Sequence, residues 1–186
     1  MSQRAVICLL IFLASAGVGA TVLVPAEFRE IVHGSDIIAY GRVVETSVQW
    51  SDDRRHVDTL VTLQVGTYLK GGPGESIVFK VPGGTIGRFR NVLVGAPQFS
   101  EGDEAVVFLN VRGRELPFIF GLNQGVFRVR FDDATRRRMV VPPPLLSRGE
   151  SPEVVVRGSA SRRVLPLESF GAQVQTVMAE TARSAR

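Results

Sequence analysis

Glu101, Asp103 and Glu104 lie within one short stretch, and His33 and His56 are the only imidazoles in the chain. Paired carboxylates cleave glycosidic bonds when they flank a cleft. These three share one turn that introduces an apolar strand, so they are expected to point into water. His56 has Asp52, Asp53 and Asp58 as neighbours, but neither histidine has a partner at metal-ligand spacing, and both read as exposed. There is no His-Glu-x-x-His. Gly158-Ser159-Ala160-Ser161 lacks the strand-to-helix elbow of a serine nucleophile. Gly71-Gly72-Pro73-Gly74-Glu75-Ser76 has no Gly-Lys-Ser/Thr end, and a strand follows it where a phosphate loop needs helix amides. Gly83-Gly84-Thr85-Ile86-Gly87 fails the dinucleotide pattern for the same reason. The residues therefore give no catalytic group, no metal ligands and no cofactor.

Recognition is the chemistry that remains. Aromatic and arginine side chains dominate binding hot spots. Trp50, Arg88, Phe89 and Arg90 are the candidates, in loops expected at 50–56 and 82–91, with a third loop at 112–115. The formal net charge is +4. The basic residues are nearly all arginine and are scattered. Arg136-Arg137-Arg138 with Arg128 and Arg130 would make a patch for an anionic partner, or only a solvated face. Tyr40, Trp50, Tyr68 and Phe89 are also the types that stack on bases, but Tyr40 shares a face with Ile38 and Val44 and reads as core.

The elements that must position these residues follow a clear order. Met1 to Arg4 is a positive start, Ala5 to Ala16 is apolar, and Val18-Gly19-Ala20 offers small residues for cleavage. This is the layout of a secretory signal peptide over 1–20. Ala5 to Val24 carries no charge, so an uncleaved membrane anchor is the rival reading. Export argues against nucleic acid as a partner and places the mature chain outside the cell or in a periplasm. Cys8 is the only cysteine and falls inside the leader, leaving no disulfide framework. Pro25 to Val32 reads as a short helix with Phe28, Ile31 and Val32 on one face.

The period then changes to two. Strands are expected over Ile37–Val48, with Ile38, Tyr40, Val44 and Val48 on one side, and over Val57–Leu69. The second puts Val57, Val61, Leu63, Val65 and Leu69 on one side, with a bulge near Gly66. Ser76–Val81, Val92–Val94, Ala105–Val111, Leu116–Phe120, Gly125–Phe131 and Arg138–Val141 follow, with Arg88–Asn91 as an excursion and Phe99 as a plug at one barrel end. Residues 142–164 are a Pro/Gly/Ser-rich surface segment, in which Val154–Val156 reads as an edge strand. Residues 165–186 hold a helix opened by Pro166, with Phe170, Val174, Val177, Met178 and Thr181 as its apolar stripe, and a tail. The domain over 21–141 is mainly β. A small Greek-key barrel of the oligonucleotide-binding type fits best, with a sandwich as the alternative.

Asp36, Ile37, Ile38, Gly41 and Val43, followed by Tyr68, Leu69, Lys70 and Gly71, resemble the opening of netrin-like and metalloproteinase-inhibitor domains. With the "VPGG", "FSEGDEAVVFL" and "GLNQGVFRV" phrases, the layout over 25–131 is similar to a group of exported bacterial proteins. The resemblance implies a barrel and loops that bind another protein. It does not imply protease inhibition, because that mechanism needs an N-terminal cysteine and Thr21 stands at the expected mature start. The functional expectation is an exported non-enzymatic binding module for a protein or envelope component. A structural accessory of the envelope and a carboxylate-dependent hydrolase are the alternatives.

Overall fold

The computed structural model describes residues 26–51, 53–72, 74–143 and 163–184, and the side chains of the last helix as far as Glu180. Helix α1 (Phe28–Gly34) is followed by β1 (Ile37–Trp50), β2 (Val57–Lys70), β3 (Ser76–Pro82), β4 (Gly84–Ile86) and β5 (Phe89–Asn91). Then come β6 (Glu104–Asn110), β7 (Phe118–Ile119), β8 (Val126–Asp132), β9 (Arg137–Val141), β10 (Leu165–Pro166) and helix α2 (Leu167–Ser184).

One mixed sheet runs β1-β2-β3-β7-β6-β8-β9-β10, and β1 also pairs with β6. The second pairing closes five strands, β1-β2-β3-β7-β6, into a ring. Only β3 and β7 run parallel in it. This is a small Greek-key barrel of the oligonucleotide-binding type, and the closure excludes the sandwich. Strands β8 to β10 extend the sheet past the ring, and β4 and β5 form a separate hairpin.

A closed ring of so few strands leaves a narrow interior, filled by Ala39, Val43, Val61, Leu63, Ile77, Phe79, Val81, Ala105, Val107 and Leu109. The sheet is also buried outside, where α1 and α2 cover it. Phe28, Ile31, Val32, Phe170 and Val174 pack there on Ile38, Val106, Phe108 and Phe127. The rings of Phe28, Phe127 and Phe170 sit 5.0 to 5.9 Å apart, at the separations favoured by aromatic pairs. Strand β6 therefore reads as continuous apolar sequence, because both of its faces are inside.

Bulges bend the long strands, and they overturn two face assignments. Val44 has no partner between the Val43–Leu63 and Glu45–Thr62 pairs. It is exposed, while Val43 points inward with Ile37 and Ala39, which share its parity. Val48 is also exposed. On β2, Gly66 and Leu69 are the skipped residues. The Gly66 bulge is where the sequence places it. Beyond it Tyr68 packs on the barrel interior and Leu69 on the helical layer. Gly41 stands where β1 presses on β2: a Cβ there would lie 2.2 Å from the Gln64 carbonyl oxygen.

Other expectations shift. Helix α1 begins at Phe28, with Glu27 as its cap, and the Glu27 N–H donates to the Glu30 carboxylate at 2.8 Å. Pro25 lies outside the described residues. At the helix C-terminus the Lys70 ammonium donates to the carbonyls of Val32 (3.1 Å), His33 (3.2 Å) and Ser35. His33 is half-buried, not exposed. Val92, Leu93 and Val94 form no strand; the segment turns there, with Val94 81% exposed. Pro166 ends β10, and α2 starts one residue later. The expected signal segment, most of 142–164 and the expected Val154–Val156 strand lie outside the described residues. Among the described residues, no helix is long and apolar enough to cross a membrane.

Candidate functional site

The β1–β2 hairpin projects beyond the ring, and its tip is tied locally. The Ser51 N–H donates to the His56 carbonyl at 2.9 Å, and the Ser51 hydroxyl donates to Asp53 at 2.6 Å. That hydroxyl and the Arg55 N–H hold the Asp53 carboxyl below its ordinary value. His56 is exposed and lies 3.6 Å from Asp53 and 3.7 Å from Asp58. Among the described residues, no group of three or more His, Cys, Asp or Glu side chains is placed to hold a metal.

The excursion after β3 folds back on this hairpin. Gly83 and Gly84 adopt φ of +104° and +152°, which L side chains rarely reach. A Cβ on Gly84 would lie 2.6 Å from Val48 Cγ1 and 3.2 Å from Val57 Cγ1. Glycine thus lets the backbone of β4 press onto β1 and β2. The contact carries the β4–β5 hairpin over the hairpin tip and stacks Phe89 on Trp50. Their ring centroids are 4.7 Å apart and the planes are tilted by 39°. Trp50 is 38% and Phe89 41% exposed, so the pair is half open to solvent.

Beside the pair runs a groove of about 380 Å³, within the usual range for ligand sites. Thr46 and Val48 of β1, Thr59 of β2, the 81–85 turn and residues 90–93 and 96–99 line it. Arg90 is its one charged side chain among the described residues, and its lining contains no carboxylate. Arg88 and Arg90 are exposed, and neither makes an ion pair among the described residues. Phe99 closes the inner end. It is half-buried, packs edge-on against Phe79 at 5.5 Å, and carries the Arg128 guanidinium 4.6 Å above its ring. Of the four recognition residues expected from sequence, only Arg90 lines this groove; Trp50 and Phe89 stack on each other outside its lining, and Arg88 precedes Phe89 in the chain. The 112–115 loop lines none of it; Glu115 instead pairs with Lys80 of β3 at 3.3 Å.

Glu104 departs from its expected exposure. Its side chain is only 15% exposed. It accepts hydrogen bonds from the Tyr40 hydroxyl (2.8 Å), from Arg138 Nε (2.9 Å) and from Arg42. Burial works against the carboxylate, but the hydrogen bonds from Arg138 and Tyr40 and the charges of Arg138 and Arg42 outweigh it and hold its pKa below the ordinary value. Burial, then the bond to Glu104, pushes Tyr40 up to about 12. Asp103 pairs with Arg128 at 2.7 Å, and Glu101 alone of the three is exposed. The basic run is divided as well, since Arg136 pairs with Asp133 and Arg138 with Glu104.

Sequence reading missed this cluster because Glu104 and Arg42 become neighbours only through the β1–β6 closure. The available signal was parity: Glu104 shares a face with Val106 and Phe108. No known protein-family model matches the chain, and no curated protein matches it in sequence.

Proposed function

We propose that this chain is an exported, non-enzymatic barrel that binds a protein or an envelope component at the groove beside Trp50 and Phe89. One observation carries the reading: two aromatic side chains from separate hairpins stack on each other while staying half exposed. A folding core would bury them, whereas a recognition surface keeps them available. Val92, Leu93 and Val94 extend the exposed apolar surface along the groove rim. The leader-like residues 1–20 support export. The resemblance to netrin-like barrels, which use loops to bind proteins, points the same way. The buried carboxylate Glu104 is occupied by three donors, which suits a structural anchor better than a proton-transfer group.

The test is affinity capture. The domain from residue 21 onward is immobilised, and envelope and culture fractions of its own organism are passed over it. The expected result is one enriched component that is lost with Trp50→Ala and with Phe89→Ala while both variants stay folded. Equal recovery on both variants would remove the groove from the function.

A further inference from the structure

We infer that the partner of this groove is an extended acidic peptide segment, added as a strand to the open edge of β1; this rests on the binding reading above. The first observation is the edge itself. The pairing of β1 with β6 ends at Arg42, opposite Glu104. The last outward backbone groups in use belong to Val43: its N–H donates to the Asp103 carbonyl and its carbonyl accepts from the Gly102 N–H, both at 2.8 Å. From Glu45 to Trp50 the strand pairs only with β2. Its second edge has no strand on it among the described residues.

Unpaired donors and acceptors on a strand edge are a template for another chain, and proteins usually blunt them with lysine, proline or a cover. Here the exposed edge carries Ser47, Val48, Gln49 and Trp50, and among the described residues it is blunted only at its start, by the bulge at Val44 and the charge of Glu45. A strand added here would project alternate side chains to the face of Thr46 and Val48, which is the groove face.

Charge selects the occupant. Arg90 is the groove's one charged lining residue among those described, and Arg88 and Arg90 are both without ion pairs there. Carboxylates on an incoming strand would pair with them, and apolar side chains between would meet Val48 and Leu93 in the groove, with Trp50 at the end of the same edge. A second copy of this chain fits poorly, because a two-fold contact on this patch would set the same arginines against each other.

Trp50 is the single tryptophan, so its emission reads occupancy. The probes are synthetic peptides of about ten residues, long enough to pair along the edge. One alternates valine with glutamate, one alternates valine with lysine, and two copies of the first carry N-methyl groups on one or the other alternating set of amides. The glutamate peptide is expected to shift Trp50 emission saturably and to bind at least about tenfold more tightly than the lysine peptide. One methylated copy should lose binding and the other keep it, because a strand edge uses alternate amides. Arg88→Glu with Arg90→Glu should invert the charge preference, with circular dichroism confirming the fold. Equal affinity for both charges, retention of binding by both methylated copies, or no saturation by about 1 mM would overturn the proposal. So would sedimentation showing a second copy on the edge. If the peptides fail while capture still depends on Trp50 and Phe89, the acidic strand is wrong and the binding reading survives; if capture fails as well, both fall.

Discussion

The Tyr40 hydroxyl donates a 2.8 Å hydrogen bond to the Glu104 carboxylate across the seam where β1 meets β6. Arg42 and Arg138 complete the carboxylate's shell from β1 and β9. One side chain therefore ties the strand that closes the ring to the strands that extend the sheet.

Glu104→Gln should destabilise the domain by about 1–3 kcal/mol, because it leaves two arginines without their carboxylate. The folded pKa of Glu104 is depressed, so its contribution is present above the unfolded value near 4.5 and is lost as pH falls through the folded pKa. The stability gap between wild type and variant, measured by urea unfolding, should be constant at neutral pH and shrink below that value.

Tyr40 has the opposite sign. Its folded pKa of about 12 lies above the ordinary 10.0, so its contribution is complete below pH 10 and fades as pH rises towards 12. Tyr40→Phe should lose about 1–2 kcal/mol at neutral pH and should flatten the alkaline decline in that interval. Unfolding curves between pH 9 and 12 check both effects.

Lys70→Met removes the ammonium that collects the carbonyls of Val32, His33 and Ser35. A loss of about 1–3 kcal/mol is expected. Hydrogen exchange should accelerate most in α1, because that cap joins the helix to the end of β2.

Gly84→Ala should cost about 2 kcal/mol or more, since the added methyl meets Val48 at 2.6 Å and the backbone φ is +152°. Gly72→Ala has open space around it and an unstrained φ, so it should change stability by less than about 0.5 kcal/mol. Thermal melts of the two variants compare the sites directly. A shifted Trp50 emission in Gly84→Ala would show that the glycine sets the position of the β4–β5 hairpin.

Phe99→Ala should cost about 2 kcal/mol, below the value for a fully buried ring, because Phe99 is half-buried against Phe79. Trp50→Ala should cost less than about 1 kcal/mol. Denaturant midpoints rank the two, and the order separates a barrel plug from a surface contact.

Much of the architecture was legible in the residues. The change from a period of 3.6 in α1 to two in β1, the Gly-rich turns and the apolar stripe Phe170–Val174–Val177–Met178 are local properties of hydrophobic spacing, and they specified a small barrel flanked by helices. Trp50, Arg88, Phe89 and Arg90 could be picked out by type alone as candidates, and the structure shows that Trp50 and Phe89 stack and that all four are exposed. Periodicity failed at Val44 and Leu69, because each is an unpaired bulge residue and a bulge moves the side chains beyond it to the other face.

Composition and spacing by themselves determined the β class, the helical faces and the kinds of residue available for recognition. The tertiary structure alone decided that Glu104 is a buried anchor, that Trp50 stacks on Phe89, and that Arg90 lines the groove. These relations join strands distant in sequence. They exist only once β1 has paired with both β2 and β6, and Gly84 has let the β4–β5 hairpin close onto Val48.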